Sequence, residues 1–271
     1  MDKTPSSVLP AHSERVNLAG ELTAYGPGIV CLTGGGGKTT LMYALGKAFA
    51  LAGCRVLLTT TTRILRPTEG QTELFQESEE PERIELPDRP CVLTAARPNT
   101  VGQNPDHLRG YSVEEVELLL RRGAADWIIV EADGSAGRPL KAPSEKEPVI
   151  PEAACAVIGV VGLSGLGRHF TDTWVFRPGP FSALSGINPG AVITPDGVAR
   201  VVCHPDGLFK GTPECAGRLL FLNQADVSGG MQAGTAVAVA LATVEDRPAL
   251  GIYMGAAGRD GLDCWRLNER L

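Results

Sequence analysis

Residues 29–40 have the sequence IVCLTGGGGKTT, and this stretch indicates the fold of the chain. Residues 29–33 form an apolar run typical of a short buried strand, and the apolar residues that follow Lys38 recur at the i, i+3 and i+4 spacing of a helix. Four glycines fill the turn between strand and helix: Gly34, Gly35, Gly36 and Gly37. Glycines let a backbone turn tightly, with its amides directed inward and without Cβ clashes. A strand, a glycine turn and a helix in this order predict a phosphate-binding loop.

The chemistry expected of this loop comes from the start of its helix. Unpaired amides and a partial positive charge at a helix N-terminus favour bound anions. Lys38 would reach the β- and γ-phosphates of a nucleotide, Thr39 would coordinate Mg²⁺, and the Thr40 amide would join the cradle. The complete motif G-x-x-x-x-G-K-S/T has a glycine where this chain has Leu32. The shorter loop resembles that of ATP-dependent amide ligases of the cell wall.

Apolar strands alternate with helices along the 271-residue chain, which predicts a mostly parallel sheet covered by helices on both faces. The expected fold class is α/β, a P-loop NTPase-like three-layer sandwich. We divide the chain into a lead-in, residues 1–26, and one α/β domain, residues 27–271. Proline and glycine are dense over residues 134–215, where we expect a small, less regular lobe. Residues 68–90 are charged and proline-rich, and we expect a solvated surface loop there.

Two acidic residues end a continuous apolar strand near residues 127–130. Glu131 and Asp133 follow that strand, and ligands of parallel sheets gather at the carboxyl ends of strands. A carboxylate there can hold Mg²⁺ or its water shell. We assign Asp133 to the metal and Glu131 to positioning of the attacking water, or the reverse. Either carboxylate could instead cap a turn or helix.

Cations and hydroxyls near these strand ends are further candidates. Arg138 and Lys141 lie in a Gly/Pro loop and could neutralise charge on a transferred phosphoryl group, although an ordinary surface loop explains them equally well. Thr60 belongs to a run of four threonines followed by Arg63. These side chains could contact phosphate, Mg²⁺ or a second substrate, or serve only the strand, since threonine is a good strand former.

A base-reading element is predicted at residues 223–226, Asn-Gln-Ala-Asp, after another short strand. It resembles the Asn-Lys-x-Asp element with which GTPases read guanine, which would give Asn223 and Asp226 roles at the base. Gln224 replaces the lysine that normally packs across the base. Guanine reading, an adenine or relaxed site, and a plain strand–turn therefore all remain open.

Composition excludes several other classes of protein. The net charge is −6 and no long Lys/Arg run occurs, which argues against nucleic-acid binding. No apolar run reaches the ~18–20 residues of a membrane span, and no signal-peptide core is present. Seven cysteines lie far apart without a Cys-x-x-Cys pair, so we expect reduced thiols rather than a metal or disulfide framework. The expected location is the cytoplasm.

The order of these motifs resembles one family, the YqeC-type accessory proteins of selenium-dependent molybdenum hydroxylases. The resemblance rests on LTGGGGKTTLM at residues 32–42, LTTTTRI at residues 58–64, and EADGS with RPLKAP across residues 131–143. It continues through EPVIP at residues 147–151 and the Asn-Gln-Ala-Asp element, and spans roughly residue 28 to the C-terminus. The acidic segment with its Lys-Ala-Pro continuation is its most specific part.

The resemblance implies a role in maturing or inserting a selenium-containing molybdenum cofactor, with a molybdenum hydroxylase or a selenium-delivery protein as partner. Combined with the loop, it predicts an Mg²⁺-dependent NTPase that uses ATP or GTP. Two alternatives remain open. One is a non-hydrolysing carrier or scaffold that binds a nucleotide or a molybdopterin nucleotide. The other is a phosphotransferase or ligase acting on a small molecule.

Overall fold

The computed structural model describes residues 13–99, 106–245, 247–258 and 261–267. Residues 1–12 of the lead-in lie outside this range. The strands are β1 Ser13–Arg15, β2 Ile29–Gly34, β3 Arg55–Thr60, β4 Arg63–Leu65, β5 Leu74–Glu77, β6 Cys91–Ala96, β7 His107–Arg109, β8 Trp127–Glu131, β9 Leu140–Lys141, β10 Ala154–Gly162, β11 Val175–Phe176, β12 Gly217–Asn223, β13 Gly251–Gly258 and β14 Gly261–Leu267. The helices are α1 Leu18–Leu22, α2 Lys38–Leu51, α3 Val113–Arg121, α4 Pro178–Ser185, α5 Pro195–Cys203 and α6 Gly230–Ala242.

Ten of these strands form one sheet in the order β1-β14-β13-β12-β10-β2-β8-β3-β6-β5. Every pairing from β13 to β5 is parallel, and the two pairings of β14 are antiparallel. The mostly parallel sheet flanked by helices is therefore confirmed. Strand β2 lies between β10 and β8 near the middle of the sheet. The carboxyl ends of these three strands consequently meet at one edge.

Alternating side chains of the strands supply two hydrophobic layers. Ile29 and Cys31 of β2 pack on one face of the sheet with α3, α4, α5 and α6, whereas Val30 and Leu32 pack on the other with α1 and α2. Within the second layer, Phe49 of α2 stacks on Trp127 of β8 with 4.3 Å between ring centroids. Burial on both faces fixes the position of α2, and with it the glycine loop, residues 34–37, that leads into this helix.

The structure differs from the sequence-based expectations in two segments. Residues 68–90 are not merely a surface loop, because β5 pairs in parallel with β6 and forms the edge of the sheet. The Gly/Pro-rich stretch, residues 134–215, contributes the central strand β10 and the helices α4 and α5 to the main core. Part of that stretch is thus as regular as the rest of the sheet.

Candidate active site at the carboxyl edge of the sheet

The glycine loop is packed so closely that side chains cannot be added to it. Gly36 has a φ of +79°, and a Cβ there would lie 2.2 Å from the Gly162 Cα at the end of β10. Gly37, the residue before α2, has a φ of +111°, and its Cβ would lie 2.5 Å from Asn223 Nδ2. Left-handed backbone of this kind favours glycine. The loop therefore needs glycine both for its conformation and for its contact with neighbouring strands.

Three amides of the glycine loop are already used inside the protein. The Gly34 amide donates to Asp133 Oδ2 at 3.0 Å, the Gly35 amide to the Val160 carbonyl at 2.9 Å, and the Gly36 amide to the Arg138 carbonyl at 2.9 Å. These amides do not turn toward a ligand, contrary to the expectation for the whole loop. Among the described residues, the amides of residues 37–40 have no hydrogen-bond acceptor, as is usual for the first turn of a helix.

A cavity of about 1060 Å³ opens beside these free amides. Its lining includes residues 36–40, Glu131 and residues 134–137. Residues of the antiparallel ribbon formed by β4 and β7 also line it. Ligand sites are commonly clefts of ~300–1,000 Å³, and in parallel sheets they lie beyond the carboxyl ends of the strands. Position and size both make this cavity the candidate active site.

Lys38 lies at the base of the cavity with only 1% of its side chain exposed. Its Nζ donates to the Gly34 carbonyl at 2.7 Å and lies 3.2 Å from Asp133 Oδ1 and 3.6 Å from Glu131 Oε1. Burial would lower the pKa of Lys38, but the two carboxylates outweigh burial and raise that pKa above its ordinary value. The ammonium group therefore stays charged in a desolvated position, where it interacts strongly with anions.

The two acidic residues at the end of β8 have different surroundings. Glu131 lines the cavity and accepts a hydrogen bond from Thr39 Oγ1 at 2.7 Å. Burial raises the pKa of Glu131, and the Lys38 ammonium and the Thr39 hydroxyl only partly oppose that shift. Asp133 is fully buried and lies between Lys38 and Lys141. Glu131 is therefore the carboxylate that a ligand in the cavity can reach.

Lys141 and Arg138 are not the mobile cations expected from the sequence. Lys141 is buried in β9, where its Nζ lies 2.8 Å from Asp133 Oδ2 and 3.1 Å from Glu147 Oε2. Arg138 is exposed, but its guanidinium donates to the carbonyls of Asp172 and Ala136, and its own carbonyl holds the Gly36 amide. Both residues support the loop from behind rather than face the cavity.

The predicted base-reading element sits directly beside the glycine loop. Asn223 is buried at the end of β12, where its Nδ2 donates to the Gly36 carbonyl at 2.8 Å and its Oδ1 accepts from the Ala257 amide at 3.0 Å. It thus ties the loop to β12 and β13. Gln224 lines the cavity with a φ of +70°, while Asp226 is exposed. Asp226 is not among the residues that line the cavity, so the structure does not bring it to the phosphate site.

Thr60 has a structural environment. Its side chain is buried at the end of β3 and donates to the Glu131 carbonyl at 2.7 Å, while it accepts from the Thr62 amide at 3.0 Å. These bonds link β3 to β8 and shape the turn that leads into β4. Thr60 therefore positions the carboxyl edge of the sheet and does not line the cavity.

Glu147 and Arg177, both partly buried, complete an ionic cluster that sequence reasoning did not assign. Glu147 Oε2 accepts from Arg177 Nη1 at 2.6 Å and from Lys141. Burial would raise the pKa of Glu147, but these two cations bring it below its ordinary value. A buried lysine needs a carboxylate partner, so recognising that Lys141 is buried would have directed attention to Glu147, six residues later.

Comparison with known proteins identifies the family. A family model described as YqeC protein matches residues 30–179, a range that includes the glycine loop, Glu131, Asp133 and the Lys141–Glu147 pair. An uncharacterized protein YqeC of Escherichia coli K12 is 31% identical over 234 residues, which cover 83% of this chain and 90% of that protein. The chain belongs to the YqeC family. The matched range contains the whole ionic cluster, from Lys38 to Arg177.

The described residues contain neither a metal-binding cluster nor a membrane-spanning helix. Among these residues no group of three or more His, Cys, Asp or Glu side chains could hold a metal ion. The helices in the same ranges are too short or too polar to cross a membrane.

We expect Gly36→Ala to disrupt the glycine loop, because the added Cβ would meet the backbone of β10 and the alanine would adopt a left-handed conformation. The expected loss is about 1–3 kcal/mol or more in the free energy of unfolding, measured by urea denaturation. Gly179→Ala in α4 is the matched control, since a Cβ there has open space and alanine favours helix. Equal stabilities of the two variants would contradict the described packing of the loop.

Proposed function

We propose that this protein binds a nucleoside triphosphate with Mg²⁺ at residues 37–40 and hydrolyses it. The P-loop NTPase assignment belongs to this proposal. The observation that carries it is the arrangement of the charged Lys38 ammonium and four free helix amides on one cavity wall, beside the Thr39–Glu131 hydrogen bond. Lys38 and the amides would hold the β- and γ-phosphates.

The residues fit a magnesium ion that arrives with the nucleotide. Thr39 and Glu131 present hydroxyl and carboxylate oxygens 2.7 Å apart at the cavity wall. Mg²⁺ prefers oxygen ligands and usually keeps several waters, with one or two carboxylates and substrate phosphates completing its shell. Such an ion would neutralise charge on the phosphates. Of the two assignments allowed by the sequence, the geometry favours Glu131 on the metal side, because Asp133 is fully buried.

Asp133 has a different role in this proposal. Its carboxylate accepts a hydrogen bond from the Gly34 amide and forms ion pairs with Lys38 and Lys141. Asp133 therefore aligns Lys38 with the loop. Lys141 and Arg138 act through Asp133 and Gly36 and are positioning residues. Asn223 holds the loop through the Gly36 carbonyl, whereas Gln224 lines the cavity and Asp226 is exposed outside that lining. Both ATP and GTP remain candidates.

A non-hydrolysing carrier is the second candidate, and one observation favours it. Glu131 is the one carboxylate among the described residues that line the cavity, and it is already hydrogen-bonded to Thr39. If Glu131 holds the metal, the described lining offers no second carboxylate to orient an attacking water. A molybdopterin nucleotide is one such ligand. Release of inorganic phosphate by purified protein with Mg²⁺ separates an NTPase from a carrier.

The cellular role that we propose follows from the resemblance to YqeC-type accessory proteins. It is maturation or insertion of a selenium-containing molybdenum cofactor in the cytoplasm, with a molybdenum hydroxylase or a selenium-delivery protein as partner. A phosphotransferase or ligase acting on a small molecule would show phosphate on an acceptor instead of free phosphate, so product analysis distinguishes it.

We expect Lys38→Ala to abolish nucleotide binding, because it removes the one ammonium group at the base of the phosphate site. The measurement is the shift of the thermal unfolding transition with ATP, GTP, CTP and molybdopterin nucleotides in the presence of Mg²⁺. A ligand at 100 times its Kd stabilises the folded wild type by about 2.7 kcal/mol.

Lys47→Ala in the same helix is the matched control, because Lys47 is exposed. Removal of Lys38 takes the ion-pair partner from buried Glu131 and one of two partners from buried Asp133, and can unfold the variant. Thr39→Val is therefore a second variant, in which the loop lysine is kept and Mg²⁺-dependent binding should be lost. Binding by Lys38→Ala at wild-type affinity would refute the phosphate site.

We also expect the Mg²⁺-dependent part of nucleotide affinity to fall with acidification. Burial raises the pKa of Glu131, so its carboxylate takes up a proton above the ordinary glutamate value of about 4.3 and then no longer holds a cation. Calorimetric titrations at a series of pH values measure this loss. Glu131→Gln is the control. Protonation of the nucleotide itself affects this variant and the wild type alike, but the variant should bind nucleotide with Mg²⁺ weakly at every pH. Parallel pH profiles of variant and wild type would contradict the role of Glu131.

A further inference from the structure

The ribbon formed by β4 and β7 presents one polar face to the cavity. Arg63 pairs opposite Arg109, and Leu65 pairs opposite His107. The residues between them, Ile64 and Leu108, are 3% and 0% exposed and pack into the core. Because side chains alternate along a strand, all four outer residues of the ribbon lie on the opposite face. All four line the same cavity as Lys38 and Thr39.

Two polar side chains of this face, Arg63 and His107, have no hydrogen-bond or ion-pair partner among the described residues. Arg109 is engaged, since its guanidinium contacts Glu79 and the Pro98 carbonyl. Arg63 is exposed, and neither it nor His107 has a hydrogen bond or an ion pair with any residue in the described ranges. An arginine presents five donors in a fixed fork that matches carboxylate and phosphate groups. In a chain with a net charge of −6, this face is a local exception.

The nucleotide contacts proposed above use other residues of the cavity lining. The phosphates would lie on residues 37–40, and Gln224, which follows β12, is the residue of the base-reading element that lines the cavity. The β4–β7 ribbon follows β3, which lies on the other side of the loop strand β2 in the sheet order. The same cavity, of about 1060 Å³, is lined both by residues 37–40 and by the four outer residues of the ribbon. The ribbon face therefore has room for a second ligand.

We propose that Arg63 and His107 form the binding site for a second, anionic small-molecule substrate that carries a phosphate or carboxylate group and faces the nucleotide. This inference rests on the proposed nucleotide site and names the class of compound that meets the nucleotide there. Arg63 binds the anion through paired N–H donors, and His107 contributes a further hydrogen bond. Leu65, which pairs opposite His107 and is 55% exposed, offers an apolar contact for the body of the ligand.

The test uses the full chain saturated with Mg²⁺ and a non-hydrolysable ATP or GTP analogue, so that the phosphate loop is filled. Inorganic phosphate and malonate are then titrated separately by calorimetry, which distinguishes a phosphate group from a carboxylate. We expect one of them to bind at a single site. Arg63→Gln should weaken this binding about tenfold or more, as loss of hydrogen bonds to a charged group implies. His107→Gln should weaken it less.

Arg83→Gln is the matched control, because Arg83 is an exposed arginine that pairs with Glu80 away from the cavity. Absence of any phosphate or malonate binding to the wild type overturns the inference, as does equal affinity in Arg63→Gln. A weaker affinity of Arg63→Gln for the nucleotide itself also overturns it, because Arg63 would then belong to the nucleotide site.

Failure of the nucleotide proposal gives a different pattern. If the wild type binds none of the nucleotides, the same anions are titrated into the ligand-free protein. Anion binding that is lost in Arg63→Gln and kept in Lys38→Ala supports the ribbon site by itself. Anion binding that is lost in Lys38→Ala and kept in Arg63→Gln refutes it.

Discussion

A buried carboxylate between two lysines organises the candidate site. Asp133 is fully buried, with the Lys38 ammonium 3.2 Å from Oδ1 and the Lys141 ammonium 2.8 Å from Oδ2. Removing one partner of a buried ion pair typically costs ~3–5 kcal/mol, since the remaining charge stays desolvated. Through Lys38 this contact fixes the glycine loop, and through Lys141 it reaches Glu147 and the segment that leads to α4. Strand β8, the loop and the Gly/Pro-rich stretch are therefore held in one arrangement.

The ionic cluster balances its charges without any ligand. Three cations, Lys38, Lys141 and Arg177, are joined by ion pairs to three acidic residues, Glu131, Asp133 and Glu147. Of these six, Lys38 and Glu131 line the cavity and the others lie behind it. A nucleotide phosphate would compete with Glu131 for the Lys38 ammonium. A metal ion would then take the place of that ammonium as the positive charge beside Glu131. In our proposal, nucleotide and Mg²⁺ are therefore expected to bind together.

Local signals made the central elements predictable. The apolar run and the glycines before Lys38 predicted β2 and the start of α2, both of which the structure contains. Helix α5 was missed although Thr194 caps it and Pro195 begins it, because proline and glycine density nearby suggested irregular structure. Strand β5 was missed because its charged, half-exposed residues are those of a sheet edge.

The site was predictable only in part, because its geometry depends on contacts between distant segments. The pattern of β8 indicated Glu131 and Asp133, but only the folded chain shows that Asp133 is sealed between two lysines and that Glu131 meets Thr39. The sequence likewise suggested an exposed loop cation at Lys141, which the structure buries in β9. No local signal indicated that the β4–β7 ribbon would face the glycine loop.

The central claim is that phosphate groups bind at the first turn of α2. A crystal structure of the protein with Mg²⁺ and a non-hydrolysable nucleoside triphosphate analogue tests it most directly. We predict that the β- and γ-phosphate oxygens lie within about 3.2 Å of the amides of residues 37–40 and of Lys38 Nζ. The metal should lie next to Thr39 and Glu131. A nucleotide bound elsewhere, or a loop left empty at saturating nucleotide, would contradict the account.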